Sequence, residues 1–270
     1  MQTRLRIEKR RDSPLRHALA IQLRVLHALL MREIITRFGR ENLGVLWLVG
    51  EPMLFTLGVA TLWTVSGLNH GSSIPIVAFA VTGYSSVLMW RNSTTRCSSA
   101  IEHNKALLYH RNVRVIDVFL TRMALEIGGA TCSFFLLSTF FVMIGWMPVP
   151  SDLLEVVAGW LMMAWFGGSL ALLIGSATAF SDVVERLWHP AAYLLFPLSG
   201  AAFMVHWLPK NLQQFVLLLP MVHGTEIIRE GWFGRVVPTH YDVQYMATCC
   251  LVISLAGLYL QGEAGRRVEI

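Results

Sequence analysis

Residues 156–180 read VVAGWLMMAWFGGSLALLIGSATAF, a run of 25 residues without a charged side chain. About 20 apolar residues in an α-helix, each rising about 1.5 Å, cross the roughly 30 Å hydrocarbon core of a bilayer. Backbone polar groups in lipid have no water to bind, so a spanning segment must satisfy them within a helix. This stretch therefore predicts a transmembrane helix, and with it a membrane protein.

Five further apolar blocks of similar length occur in the chain, at residues 43–65, 74–90, 119–146, 187–205 and 243–260. Hydrophobic residues make up 54% of the chain and charged residues only 14%, against roughly 25% charged residues in soluble domains. We therefore expect an all-α membrane protein with six transmembrane helices in one permease domain, residues 43–260. A basic cytoplasmic segment (1–42) precedes this domain and a short cytoplasmic tail (261–270) follows it.

Lysine and arginine are distributed unevenly between the predicted connections. If the spans alternate, one side of the membrane receives nineteen of the 22 basic residues, and the other receives only Lys210, Arg229 and Arg235. Cytoplasmic loops carry such an excess. The pattern predicts a multi-pass membrane protein with both termini in the cytoplasm. No apolar core follows the basic residues before Leu43, so no cleaved signal peptide is expected. The charge pattern also accounts for the net charge of +5 without a nucleic-acid partner.

Two segments outside the six blocks have helical periodicity. In residues 15–35, leucines recur on one face, with His17, Arg24 and Arg32 opposite. This pattern predicts an amphipathic helix in the cytoplasmic membrane interface or against a partner protein. Residues 212–222 are apolar but too short to cross a bilayer. We therefore expect two short re-entrant external helices between the fifth and sixth spans, residues 211–219 and 220–231, the second beginning at Pro220.

The fourth block carries a small residue at every fourth position: Gly167, Ala171, Gly175 and Ala179. Such spacing allows another helix to approach closely. We expect this close packing to occur within the subunit rather than between subunits. The sequence does not identify the partner helix.

Motifs for catalysis are absent from the sequence. It has no Asp-rich metal motif, no histidine pair at ligand spacing on one helix and no cysteine-rich metal site. It also lacks the Gly-x-x-x-x-Gly-Lys phosphate loop, so we expect no ATP hydrolysis and no bound cofactor. One carboxylate, Glu51, lies well inside an apolar block. Because a charge there is costly in lipid, Glu51 should face a neighbouring helix, water or a transported substrate.

Several motifs resemble those of polysaccharide-export permeases, the membrane subunits of type-2 ABC exporters. The first is REIITRFG at residues 32–39, followed by Leu43-Gly44, Leu46-Trp47 and Glu51-Pro52; later motifs occupy residues 101–108 (IEHNKALL), 116–126 and 220–230. The resemblance covers nearly the whole chain and is nearest to the capsular-polysaccharide branch, although residues 1–14 are longer than is usual there. The key positions of the N-terminal motif are Arg37, Phe38, Gly44 and Pro52.

This resemblance implies a transporter subunit of the bacterial inner membrane rather than an enzyme. It implies a homodimer with a central passage for a lipid-linked polysaccharide, together with two cytoplasmic ATPase subunits that bind the ATP and Mg. Periplasmic and outer-membrane export proteins are further expected partners. The family's interface helix corresponds to residues 15–35, its coupling helix to residues 101–109 and its external gate helices to residues 210–231. The residues expected to form the ATPase coupling surface are Ile101, Glu102, Asn104 and Leu107.

Two further groups of residues are assigned to transport. Sugar rings stack on aromatic side chains, so the translocation path is expected to include Trp47, Phe55 and Tyr84 beside Glu51, although aromatic residues also collect at membrane interfaces. Polar residues share one face of the second external helix. They are expected either to form an external gate or to form a solvated surface beside the bilayer, without a metal: His223, Glu226, Arg229 and Glu230. Arg229 follows Glu226 by three residues, a helical spacing that permits an ion pair between them.

Other functions stay open on the sequence alone. An ABC exporter of a lipid or drug has the same architecture, but the motif at residues 37–47 argues against it. A membrane-embedded glycosyltransferase or acyltransferase would fit the hydropathy but lacks a catalytic constellation. A structural scaffold would leave Glu51 and the external amphipathic segment unexplained.

Overall fold

The computed structural model describes residues 14–38, 44–66, 74–108, 113–236 and 238–268. Within these ranges every regular element is helical, which confirms the all-α prediction. Two short 3₁₀ turns occupy Val205–Trp207 and Gly234–Val236. The α-helices are α1 (Pro14–Phe38), α2 (Gly44–Val65), α3 (Ile76–Ser98), α4 (Ala100–His103), α5 (Lys105–Leu108), α6 (Val115–Met143), α7 (Leu153–Ala177), α8 (Asp182–Leu198), α9 (Lys210–Val216), α10 (Pro220–Phe233) and α11 (Val243–Val268).

Among the described residues, three helices are long and apolar enough to cross a membrane: Val115–Met143, Leu153–Ala177 and Val243–Arg267. They correspond to the third, fourth and sixth predicted spans. α2 is apolar over the shorter stretch Val49–Val65, and α8 has only 17 residues. The span count of six therefore stays a prediction for α2, α3 and α8.

α3 and α7 form the centre of the helix bundle, and each packs on several other helices. Small residues allow α3 and α7 to approach closely. A Cβ atom on Gly167 would lie 2.8 Å from the Cα atom of Trp90, and one on Gly175 would lie 2.9 Å from the carbonyl oxygen of Cys97. The small-residue face of the fourth block thus packs within the subunit, as predicted, and its partner helix is α3.

α3 continues for eight residues beyond Trp90, where the second span was predicted to end. The polar residues after Trp90 stay helical since their hydroxyl groups donate to carbonyls one turn earlier in the same helix. Ser93 and Thr94 make such bonds at 2.7 and 2.8 Å. Arg91 and Arg96 therefore lie on a helix of the bundle and not in a basic loop.

The predicted fifth span, residues 187–205, is displaced in the structure to Asp182–Leu198. The hydroxyl of Ser181 accepts the N–H of Val183 (3.3 Å) and caps the start of α8. After the helix ends, Gly200 adopts a φ of 81°, a left-handed conformation that favours glycine. Residues 199–204 therefore form an irregular connection and not the last turn of a span.

The N-terminal amphipathic helix corresponds to α1, which contacts α2 and α6. Not all of its leucine face is turned towards these helices, since Leu19 is 64% exposed and Leu23 is 57% exposed. The predicted coupling helix is divided into α4 and α5 at Asn104. Residue 109 lies outside the described residues.

Candidate functional site: two polar layers of a helix bundle

Polar contacts join α1 to the bundle at the end that carries α1, α4 and α5, which we call the basic end. Arg122 of α6 pairs with Glu33 of α1 (Nε–Oε1 3.3 Å), and its Nη1 donates to the carbonyl oxygen of Arg96 (2.5 Å). Gln22 of α1 donates to Asp117 of α6. Arg122 is only 7% exposed, so loss of Glu33 would remove a partner from a buried charge.

Glu51 of α2 lies beside Arg96 of α3 (Oε1–Nη2 4.0 Å). Arg96 also pairs with Glu126 of α6 (Nε–Oε1 3.5 Å). The side chains of Glu51 and Arg96 are 38% and 45% exposed, so both reach the surface of the subunit. The structure thus gives Glu51 a basic partner, as expected of a carboxylate within a span.

Two aromatic residues of the expected translocation path share the surface of α2 with Glu51. Trp47 and Phe55 stand one turn before and one turn after it and are 54% and 52% exposed. Tyr84 lies elsewhere, on α3, where it is 7% exposed and packs edge to face on Phe196 of α8 (centroids 5.5 Å apart). The structure therefore brings together three of the four path residues.

The expected coupling residues divide into a buried and an accessible pair. Ile101 is 7% exposed and Asn104 is 4% exposed. The Asn104 side chain is also occupied, since it accepts from Arg32 of α1 (2.9 Å) and donates to the carbonyl oxygen of Ala100 (2.9 Å). Glu102 is exposed and Leu107 is half-buried. Only Glu102 and Leu107 present substantial surface to a partner in this conformation.

A cavity of about 600 Å³ opens beside Glu102 and Lys105 at the basic end. The α7–α8 turn, the start of α8 and the end of α11 complete its wall; among the lining residues are Thr178, Asp182, Glu185 and Arg267. Charged side chains of both signs therefore surround a concave surface next to α4 and α5.

The N-terminal motif spans the break between α1 and α2. Arg37 and Phe38 end α1, and Gly44 begins α2; residues 39–43 lie outside the described residues. Pro52 is buried within α2. The structure leaves the role of this motif as a prediction.

The second polar layer surrounds α10 at the opposite end, and Arg229 is its centre. This side chain has no exposed surface. Its Nη1 donates to the carbonyl oxygens of Gly200 and Phe203 (both 2.6 Å), and its Nη2 donates to that of Ala201 (2.8 Å). The guanidinium carbon also lies 3.9 Å from the centroid of the Phe79 ring, a cation–π distance. Arg229 thus holds the α8–α9 connection against α10 and α3.

Glu226 and Glu230 fix the segment that leads into α11. Glu226, 1% exposed, accepts the N–H groups of Val205 (3.3 Å) and His240 (3.1 Å) through its two oxygens. Glu230 accepts the hydroxyl of Thr239. No ion pair within 4.0 Å joins Glu226 to Arg229 in the described residues, so the pair expected from their spacing of three is not formed. Each binds backbone instead.

His223 connects two further segments. Its Nδ1 accepts the N–H of Asp242 (2.8 Å), and its Nε2 lies 2.8 Å from the carbonyl oxygen of Leu217. The Nδ1 atom must therefore be unprotonated and Nε2 must carry the proton, which defines a neutral imidazole. Nearby, Tyr241 donates to Glu155 at the start of α7 (3.0 Å). Burial, the hydrogen bond to Glu155 and the neighbouring Glu230 carboxylate raise the pKa of Tyr241.

The second helix predicted between the fifth and sixth blocks is present and starts at Pro220, as expected; its external position stays a prediction. The solvated-surface alternative is wrong for three of its four polar residues: His223, Glu226 and Arg229 are 3%, 1% and 0% exposed. Their partners are backbone groups of the connections around α10. Within the described residues, no group of three or more metal-ligating side chains is present.

Comparison with known proteins places this arrangement in a family. The family profile described as ABC-2 type transporter matches residues 24–233, which include α10 and most of α1. The chain belongs to the ABC-2 type transporter family. The resemblance seen in the sequence motifs is therefore confirmed, and the chain is a transporter subunit.

This ABC-2 transporter is similar along nearly its full length to three named inner-membrane or transport proteins. It is 44% identical over 252 residues to the capsule polysaccharide export inner-membrane protein CtrC of Neisseria meningitidis (93% of this chain, 95% of that protein). It is 41% identical over 254 residues to the corresponding protein BexB of Haemophilus influenzae (94% and 96%). It is 26% identical over 248 residues to the polysialic acid transport protein KpsM of Escherichia coli (91% and 95%).

Sequence reasoning missed the carbonyl groups that bind Arg229 in this ABC-2 transporter, because backbone acceptors carry no side-chain signature. One residue far from Arg229 in the sequence, Gly83 of α3, does carry a signal. A Cβ atom on Gly83 of α3 would lie 2.5 Å from Nη2 of Arg229 and 2.6 Å from the carbonyl oxygen of Ala201. Gly83 thus leaves room for the guanidinium, but a single sequence does not connect these two positions.

Proposed function

We propose that this chain is the membrane-spanning permease subunit of an ATP-driven exporter that moves a lipid-linked capsular polysaccharide across the bacterial inner membrane. Two proteins named for capsule polysaccharide export are 44% and 41% identical to this chain over 93% and 94% of its length. This similarity carries the proposal. The name polysialic acid transport protein of a more distant relative supports the same cargo class. An exporter of an unrelated lipid or drug has no such support.

The proposed topology has six spans, with the basic end in the cytoplasm. α1, α4, α5 and the end of α11 lie together at that end, as the contact between Arg32 and Asn104 and the cavity shared by Glu102 and Arg267 indicate. Leu19 and Leu23 leave an exposed apolar surface on α1. An interfacial helix needs such a surface. α9 and α10 then lie on the periplasmic side, as re-entrant helices.

Labelling of single cysteines tests this orientation. In a variant without the four native cysteines, Val149→Cys in the α6–α7 connection is expected to react with an impermeant maleimide in intact cells. Arg266→Cys near the end of α11 is expected to react only after permeabilisation. Both sites are exposed, whereas the native Cys97 is fully buried and reports on neither side. Labelling of Arg266→Cys in intact cells would overturn the topology.

The proposed assembly is a homodimer with two cytoplasmic ATPase subunits. The exposed surface of α2 around Trp47, Glu51 and Phe55 supports a path wall that is completed by a second copy. The exposed Glu102 beside a cavity of about 600 Å³ supports a docking place for the ATPase at the basic end. Periplasmic and outer-membrane export proteins would then receive the polysaccharide.

Deletion of the gene and complementation test the function. Cells without the chain are expected to accumulate polysaccharide internally and to lose it from the surface, and re-expression of the parent chain is expected to restore the surface fraction. Surface and total polysaccharide are measured with the same glycan-specific probe before and after permeabilisation. Absence of polysaccharide from both fractions would indicate synthesis rather than export. An unchanged surface fraction would indicate a different cargo.

A further inference from the structure

Arg91 lies deep in the helix bundle and not at its edge. It follows Trp90, whose Cα atom is in contact range of Gly167. Gly167 is the fifteenth of the 25 residues of α7, one of the helices long and apolar enough to span the membrane. With a rise of about 1.5 Å per residue, this level is roughly 21 Å from one end of α7 and roughly 15 Å from the other. Arg91 therefore lies near the middle of the membrane-spanning region.

The charge of Arg91 is not balanced by a carboxylate in the described part of the chain. Arg96, five residues further along α3, pairs with Glu51 and with Glu126. Two aromatic residues interact with Arg91. Its guanidinium carbon lies 5.7 Å from the centroid of the Tyr193 ring on α8, and the side chain interacts electrostatically with the Tyr84 hydroxyl.

A half-buried arginine at this depth is costly if it faces lipid, and such residues line water-filled paths or bind charged substrates. Tyr193 beside it is 71% exposed, so the site is open on the α8 side. Guanidinium groups bind carboxylates and phosphates through paired N–H groups. Tyrosine rings present apolar planes on which sugar rings stack. One site thus combines a cation that no described carboxylate balances with an accessible aromatic plane.

We propose that Arg91, with Tyr193 and Tyr84, forms a binding site in the translocation path for the acidic group of a charged polysaccharide. This inference rests on the proposed export function and assigns recognition of the cargo's acidic groups to one arginine of α3. Arg91 supplies the charge contact, and Tyr193 supplies the ring contact.

The test compares two ligands that differ only in charge. The permease with its ATPase is placed in nanodiscs of a neutral phospholipid and titrated with oligogalacturonate and with its methyl ester, with tryptophan fluorescence as the readout. The parent is expected to bind the acid at least about tenfold more tightly than the ester, because one charge-assisted hydrogen bond contributes about this difference in affinity. Arg91→Gln is expected to remove this preference without changing binding of the ester. Arg91→Lys is expected to retain most of it.

Two controls separate a binding role from a structural one. Arg266→Gln removes an exposed charge near the end of α11 and is expected to keep the preference. Binding is compared only among variants whose melting temperature equals that of the parent protein. A preference that survives in Arg91→Gln would overturn the assignment, as would an equal loss of acid and ester binding. Competition by phosphatidylglycerol as strong as by the oligosaccharide would make this a lipid site and also overturn it.

The role of Arg91 and the export function can fail independently, and the two experiments distinguish these failures. If the parent chain restores surface polysaccharide in the deletion strain but Arg91→Gln retains the acid preference in nanodiscs, only the role of Arg91 is wrong. If the parent chain restores no surface polysaccharide, the export function itself is wrong.

Discussion

Replacement of Arg229 by methionine is expected to lower the melting temperature of the detergent-solubilised protein by about 10 °C or more and to reduce its abundance in the membrane. The change removes three hydrogen bonds to the carbonyl groups of Gly200, Ala201 and Phe203. It also leaves the buried Glu226 carboxylate without its cationic neighbour. Loss of one partner from a buried charged cluster costs about 3–5 kcal/mol, and about 1 kcal/mol corresponds to roughly 2–4 °C in a chain of this size.

Two comparison variants give this prediction its specificity. Arg229→Lys keeps the charge but not the planar fork that reaches three carbonyls, so an intermediate loss is expected. Arg235→Met removes an exposed arginine just beyond the same helix and is expected to leave the melting temperature within about 2 °C, as surface substitutions usually do. Equal melting temperatures for Arg229→Met and Arg235→Met would show that the bonds around Arg229 do not stabilise the fold.

Glu102→Lys is expected to abolish most export while the protein stays folded and in the membrane. Glu102 is exposed on α4 and pairs with Lys105 (Oε2–Nζ 2.5 Å) beside the cavity at the basic end. Reversal of its charge places two ammonium groups together on the surface proposed to dock the ATPase. A reversed charge on a docking surface destroys its charge complementarity with the partner and so opposes association. We expect at least about a tenfold fall in surface polysaccharide and loss of ATPase co-purification.

Glu263→Lys provides the matched control, because Glu263 also pairs with a basic residue, Arg266, three positions along its helix (2.8 Å). It lies on α11 and outside the residues that line the cavity. The same charge reversal there is expected to leave both export and ATPase binding close to the parent level. If Glu102→Lys matches Glu263→Lys in both measurements, α4 is not part of the coupling surface.

The elements that the sequence predicted well are those whose signal is local. The 25-residue apolar run and its small residues predicted α7 and its close packing, and Pro220 predicted the start of α10. The end of α3 was missed because Ser93 and Thr94 look like loop residues, yet their hydroxyl groups bind carbonyls of their own helix.

The candidate site was less predictable because its contacts join residues far apart in the chain. The spacing of Glu226 and Arg229 indicated an ion pair on a polar helix face. Instead, Arg229 binds carbonyls 26–29 residues away, and Glu226 binds backbone N–H groups on both sides of α10. The composition of one helix cannot show which connection packs against it. Arg91 was counted among the nineteen basic residues of the cytoplasmic side for the same reason, since only the packing of Trp90 on Gly167 fixes its depth.

ATP-dependent transfer of polysaccharide in inside-out membrane vesicles measures the proposed export directly. In these vesicles, lipid-linked polysaccharide starts on the outer, cytoplasmic face, where an impermeant depolymerase can reach it. ATP is expected to increase the fraction protected from the enzyme only when this chain and its ATPase are both present, and Glu102→Lys is expected to prevent the increase. An equal protected fraction with and without the chain, or with and without ATP, would contradict the export function.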